Sequence, residues 1–194
     1  MTLFQLFMLG ASAYFAFKVY EHIQTLQDMP VENSSSSSPS SFDPKALVQR
    51  ADEAFDNDDW QKALSLYVEA NAKEPQEWEV LFKVGYILEK FGNNDEALKY
   101  YKEALEKDKN NEYIHNSIAT IYRANKEFVS AKMHLNASLN QNDENPVTYY
   151  NYGNLLSDMK HFDEAKQMYK RAIDINPDFN EAKEELKKLE GGAG

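Results

Sequence analysis

The four histidines are the natural candidates for acid–base or metal chemistry in this 194-residue chain, and they stand at 22, 115, 134 and 161. Placing two imidazoles on one helix face needs the HExxH spacing, which none of them has. Cysteine is absent, which excludes a thiolate nucleophile, thiolate zinc sites and disulfides; redox grounds therefore say nothing about compartment. Asp56-Asn57-Asp58-Asp59 has the acidity of a calcium loop, but Trp60 and Gln61 fall where a ligand and a glycine are required, and no glutamate closes it. A solvated turn is the expected structure there. Asn136-Ala137-Ser138 fits a glycosylation acceptor yet lies inside a predicted helix. With no glycine-rich phosphate loop and no GxSxG elbow, the sequence predicts no enzyme, no cofactor and no metal site.

What remains is binding chemistry, and composition narrows its partners. The chain holds 21 basic and 32 acidic residues, for a net charge of −11, and 42% of its residues are hydrophobic. Global disorder, a collagen and a polytopic membrane protein are excluded. A nucleic-acid partner is not expected either, because neutralising phosphates requires a basic face.

The charge is unevenly spread. Residues 1–43 contain one basic residue, Lys18, against Glu21, Asp28, Glu32 and Asp43, which leaves 20 basic and 28 acidic residues for the rest. Leu3 to Phe17 is uncharged, with Gln5 and Ser12 its only polar members, and Val19 and Tyr20 extend the run. As a helix, Met1 to Tyr20 would reach about 30 Å, the thickness of a hydrocarbon core. Lys18 suits snorkelling, and Tyr14 and Tyr20 suit an interface. The expectation is an N-terminal membrane-anchor helix within residues 1–27. Two alternatives stay open: a cleaved signal peptide ending at Ala11-Ser12-Ala13, and a helix lying on the membrane or packed into the protein. Lys18 on the C-terminal flank favours a single-pass topology with the body in the cytoplasm, a periplasmic or extracytoplasmic body being the other choice. Residues 28–43 form a serine-rich linker containing Pro30 and Pro39; as a flexible coil it would span about 20–24 Å.

Beyond residue 43 the chain repeats. Ala63, Ala97, Ala131 and Ala165 stand 34 residues apart, with Ala70, Ala104, Ser138 and Ala172 seven positions later and Ala51, Gly85, Ala119 and Gly153 twelve before. Large side chains recur four after each alanine, at Tyr67, Tyr101, Leu135 and Tyr169. Small residues at fixed points are what close helix crossings demand, leaving room for a neighbouring backbone. Within a unit, Leu81, Val84, Leu88 and Phe91 keep helical spacing, Gly92-Asn93-Asn94 breaks it, and Leu98, Tyr101 and Leu105 resume it. Each unit is therefore a helix, a turn and a helix. Asp95-Glu96 and Asp163-Glu164 open second helices that Lys107 and Lys170-Arg171 close, matching the helix dipole. Asp43-Pro44 reads as a cap and first turn, and Pro75 and Pro177 end two units.

A helical hairpin of this period is the mark of a solenoid, and the pattern resembles the tetratricopeptide repeat family. The resemblance covers units 44–77, 78–111, 112–145 and 146–179, the first and third departing most, at Arg50, Ala54, His115, Ser138 and Asp143. It implies an all-α, right-handed solenoid of four antiparallel helical hairpins. Residues 180–190, with Ala182, Leu186 and Leu189 on one face, read as a capping helix, and 191–194 as a flexible tail.

The resemblance also implies a concave groove lined by the first helix of each unit. The matching positions are Phe82, Tyr86 and Glu89; Tyr113, Asn116, Thr120 and Arg123; and Tyr150, Asn151 and Asn154. They suggest docking of a protein or peptide partner, asparagine amides bonding its backbone and tyrosine rings covering its side chains. The family's clamp for chaperone tails is not expected, since Val48, Asp52 and Val147 stand where it has Lys, Asn and Lys. The expected function is that of a membrane-tethered adaptor or scaffold that performs no chemistry; the alternatives are a self-associating, homo-oligomeric scaffold and, last, an enzyme.

Overall fold

The computed structural model describes residues 43–191. The anchor expected in residues 1–27, the linker up to residue 42 and the last three residues of the tail lie outside them. Among the described residues there is no strand, and no helix is long and apolar enough to cross a membrane. The helices are α1 (Pro44–Asp56), α2 (Trp60–Lys73), α3 (Trp78–Lys90), α4 (Asn94–Lys107), α5 (Glu112–Ala124), α6 (Phe128–Gln141), α7 (Pro146–Asp158), α8 (Phe162–Ile175) and α9 (Asn180–Gly191). They pack as hairpins α1–α2, α3–α4, α5–α6 and α7–α8, each stacked on the next, with α9 against α8.

Local chemistry sets the helix ends. Asp43, Asn111 and Asn145 accept backbone N–H groups in the first turns of α1, α5 and α7, and Pro44 and Pro146 occupy first-turn positions where no donor is needed. Each hairpin turn contains one residue in the left-handed region, and these four, Asp58, Gly92, Lys126 and Lys160, have φ of 59°, 78°, 63° and 64°. At each, the following N–H returns to a carbonyl in the helix just ended, as Glu127 does to Tyr122 at 2.8 Å, the closure typical of a helix stopped by a left-handed residue. Only the second turn uses glycine for it.

The alanines at 63, 97, 131 and 165 are fully buried, as are Ala70, Ala104, Ser138 and Ala172. At the glycines the steric explanation needs correction. The space beside Gly85 and Gly153 is filled by a tyrosine ring of the paired helix rather than by backbone: a Cβ there would lie 2.6 Å from the Tyr101 ring and 2.5 Å from the Tyr169 ring, respectively. These rings are buried, and their hydroxyls emerge to donate to Glu89 and Asn154, each at 2.8 Å.

One apolar cluster runs from Leu47 to Ile121, and smaller ones gather around Leu155 and around Leu156. At the third hairpin the interior turns polar: His115, Asn116, His134 and Ser138 are buried there together with Thr148 of α7. One charge expectation shifts. Because α8 continues to Ile175, Lys170 and Arg171 fall short of its last turn. On α9, Lys188 pairs with Glu185 at 2.6 Å, and Ala182, Leu186 and Leu189 turn inward as expected.

Candidate functional site

The first helices of the second, third and fourth hairpins border a cavity of about 480 Å³. Of the positions singled out in the sequence, Phe82, Tyr86, Glu89, Tyr113, Asn116, Thr120 and Asn151 line it. The exposed aromatic and aliphatic groups at its edge are Tyr113, 58% exposed, and Val147, 46% exposed. Phe82 packs on the Tyr101 ring with centroids 5.5 Å apart, and Tyr86 leans on Phe55 and Trp60 at 5.9 and 6.1 Å. The aromatic wall is thus anchored from behind by the first hairpin and by α4.

Arg123, Tyr150 and Asn154 do not line the cavity. Arg123 donates to Asp158 of the next hairpin at 2.7 Å. Tyr150 packs between Tyr169 and Phe179, with centroids 6.0 and 5.1 Å away, and the Asn154 side-chain oxygen accepts the Tyr169 hydroxyl. All three hold hairpin to hairpin or helix to helix.

Asn116 lines the cavity, yet its amide is spent inside the protein. Its nitrogen lies 3.0 Å from the Glu112 carbonyl, 2.9 Å from the Ser138 hydroxyl and 2.7 Å from the Thr148 hydroxyl, and its oxygen accepts from the Asn151 amide at 3.1 Å. The Glu112 carbonyl can only accept, which fixes which end of the Asn116 amide faces it. Thr120 donates to the Asn116 carbonyl at 3.1 Å. Among the asparagines of the groove, Asn151 retains a side-chain oxygen with no partner among the described residues.

Lys90, Ser117, Asn145 and Val147 complete the lining and were not singled out as site positions. Two were readable from the period, since Val147 stands 34 residues after Tyr113, and Ser117 the same distance before Asn151. Lys90 has no such signal: its ammonium rests over the Tyr86 and Trp60 rings at 5.2 and 5.5 Å, a contact the fold alone creates. Asn145 is the cap of α7.

Burial beside the aromatic wall raises the Glu89 carboxyl above the ordinary value, and the Tyr101 hydroxyl donating to it pulls the other way. The same burial, with Glu89 close by, raises the Tyr101 phenol. Behind the groove, His115 and His134 face each other with Nδ1 atoms 2.9 Å apart, and His115 Nε2 lies 3.2 Å from the Lys109 carbonyl. Since that carbonyl accepts only, His115 carries its proton on Nε2 and takes one from His134 at Nδ1. Burial lowers both imidazoles, His134 to about 4 with help from His115 and Lys102. Among the described residues no group of three or more His, Cys, Asp or Glu converges to hold a metal.

Family models of the tetratricopeptide repeat match residues 48–112 and 147–179. The crystal structure of YrrB, a TPR protein with an unusual peptide-binding site, is similar at a TM-score of 0.68 and 20% identity, over 76% of each chain. That of MamA is similar at 0.66 and 20%, over 77% of this chain and 81% of that one. The first TPR of Spaghetti (RPAP3), bound to the HSP90 peptide SRMEEVD, is similar at 0.56 and 27%, over 60% of this chain and 93% of that one. No curated protein matches the chain.

Proposed function

The chain belongs to the tetratricopeptide repeat family, whose members bind proteins or peptides, and from that premise we propose that it is an adaptor holding a partner segment in the groove between α3, α5 and α7. One observation carries the reading: Tyr113 and Val147 stand exposed at the edge of a 480 Å³ cavity walled by Phe82 and Tyr86. Exposed aromatic groups beside a preformed apolar depression are the usual makings of an interface hot spot. Uncharged Leu3–Phe17 would tether the adaptor to a membrane as a single-pass anchor, leaving residues 28–43 as its leash. The chaperone-tail mode of Spaghetti is not proposed for this chain, because Val48, Asp52 and Val147 supply none of that clamp's cations.

Replacing Tyr113 with Ala and Val147 with Ser in the full chain tests the groove. Partner capture from the native membrane should fall at least tenfold with helicity unchanged; undiminished capture would reject the groove as the docking site.

A second reading, self-association, is favoured by the outer face of α6. Val129 is 87% exposed and Met133 61%, at positions that are Asp95 and Lys99 in the second unit. The chain has no cysteine, so Val129→Cys alone reports on it. A disulfide-linked dimer formed under mild oxidation supports that face as a contact between copies, and a wholly monomeric product removes it.

A further inference from the structure

The groove's polar groups decide what kind of segment it can accept. The Asn116 amide is consumed at both ends, and Asn151, whose nitrogen is given to Asn116, offers an oxygen. Glu89 offers another acceptor: one carboxylate oxygen takes the Tyr101 hydroxyl at 2.8 Å and the other has no partner among the described residues. Two carboxylates elsewhere along the first helices are matched across hairpins, Asp52 by Lys83 at 2.6 Å and Asp158 by Arg123 at 2.7 Å. Lys90, the remaining charge on the lining, is held over the Tyr86 and Trp60 rings. Glu89 is therefore a partly buried carboxylate with no cation paired to it among the described residues, in a depression walled by Phe82, Tyr86, Tyr113 and Val147. A carboxylate in that position gains most from a counter-charge supplied by the ligand.

We propose that the groove selects a peptide segment in which a lysine or arginine lies beside an apolar residue, the cation pairing with Glu89 and the apolar side chain seating against Phe82, Tyr113 and Val147. This rests on the reading of the groove as a docking site. It inverts the charge of the ligand in the chaperone-tail mode: donors meet acceptors here, and an acidic tail would face Glu89, while Lys90, the one cation of the lining, is held over the Tyr86 and Trp60 rings.

A library of random heptapeptides displayed on phage, panned against the full chain in nanodiscs and against its Glu89→Gln variant, is the test. Gln keeps an oxygen for the Tyr101 hydroxyl and removes only the charge. Enrichment of Lys or Arg next to Leu, Ile, Met or Phe on the native chain, lost on the variant, is expected. A selected peptide should bind the variant about tenfold more weakly. Enriched peptides that are acidic or neutral, or equal enrichment on both proteins, would overturn the charge selection and leave the groove standing. No enrichment on the native chain would overturn the groove reading as well.

Discussion

Tyr101 occupies the space into which a Cβ on Gly85 would project, its nearest ring carbon 2.6 Å from that point. The same relationship recurs between Gly153 and Tyr169. Gly85→Ala should therefore destabilise the array. The first hairpin accommodates Ala51 with a buried Tyr67, so the cost belongs at the lower end of overpacking, about 1 kcal/mol, or a few degrees in Tm. Adding Tyr101→Leu, which copies the Ala119 and Leu135 pairing of the third hairpin, should recover part of the loss. Thermal unfolding followed by circular dichroism reads both; an unchanged Tm for Gly85→Ala would show that the ring moves freely.

The buried histidines make the third hairpin acid-labile. The folded state holds His115 and His134 below the ordinary histidine value, so it binds fewer protons than the unfolded chain. That contribution to stability is present above about pH 6.5 and is lost as the pH falls toward 4. Lys102 on α4 and the Lys109 carbonyl surround the pair, with Tyr122 stacked on His134 at 5.7 Å. His115→Leu with His134→Leu, the residue that the first unit has at both positions, should flatten the slope of the urea midpoint between pH 7 and 5. Parallel slopes for the two proteins would contradict the assignment.

Asn116 should behave as a structural residue of the groove floor. Asn116→Ala strips partners from Asn151, Ser138 and Thr148 at once, at a cost of about 1–3 kcal/mol. Urea unfolding measures it. A variant as stable as the native chain would return the Asn116 amide to the ligand-binding role expected from sequence.

The left-handed turn residues give a stabilising prediction. Lys126 and Lys160 adopt φ of 63° and 64° where Gly92 adopts 78°, and a side chain at such φ is strained. Lys126→Gly and Lys160→Gly should each raise stability by up to about 1 kcal/mol, net of the entropy glycine adds to the unfolded chain. Scanning calorimetry distinguishes this from a loss.

These cases mark what the sequence could carry. The hairpins were legible because a 34-residue period writes the same steric demand several times, at Ala63, Ala97, Ala131 and Ala165. The turn geometry was legible only at Gly92, since lysine at 126 and 160 hides a conformation imposed by the closure of the hairpin. For the groove, the period identified the helix faces but not what each side chain spends its hydrogen bonds on. Asn116, Arg123 and Asn154 look like ligand-binding residues in one dimension; partners 32, 35 and 15 residues away claim them in three. Arg123 takes Asp158 from the next hairpin, a pairing no pattern within one unit contains.

The central claim is that the partner docks between α3, α5 and α7. A photo-crosslinking amino acid placed at 113 in the full chain, compared with one at 129 on the outer face of α6, tests it most directly in the living cell. A protein adduct from position 113 that disappears in a Glu89→Lys background, with none of that adduct from position 129, is the expected result. An adduct formed at 129 and absent at 113 would contradict it.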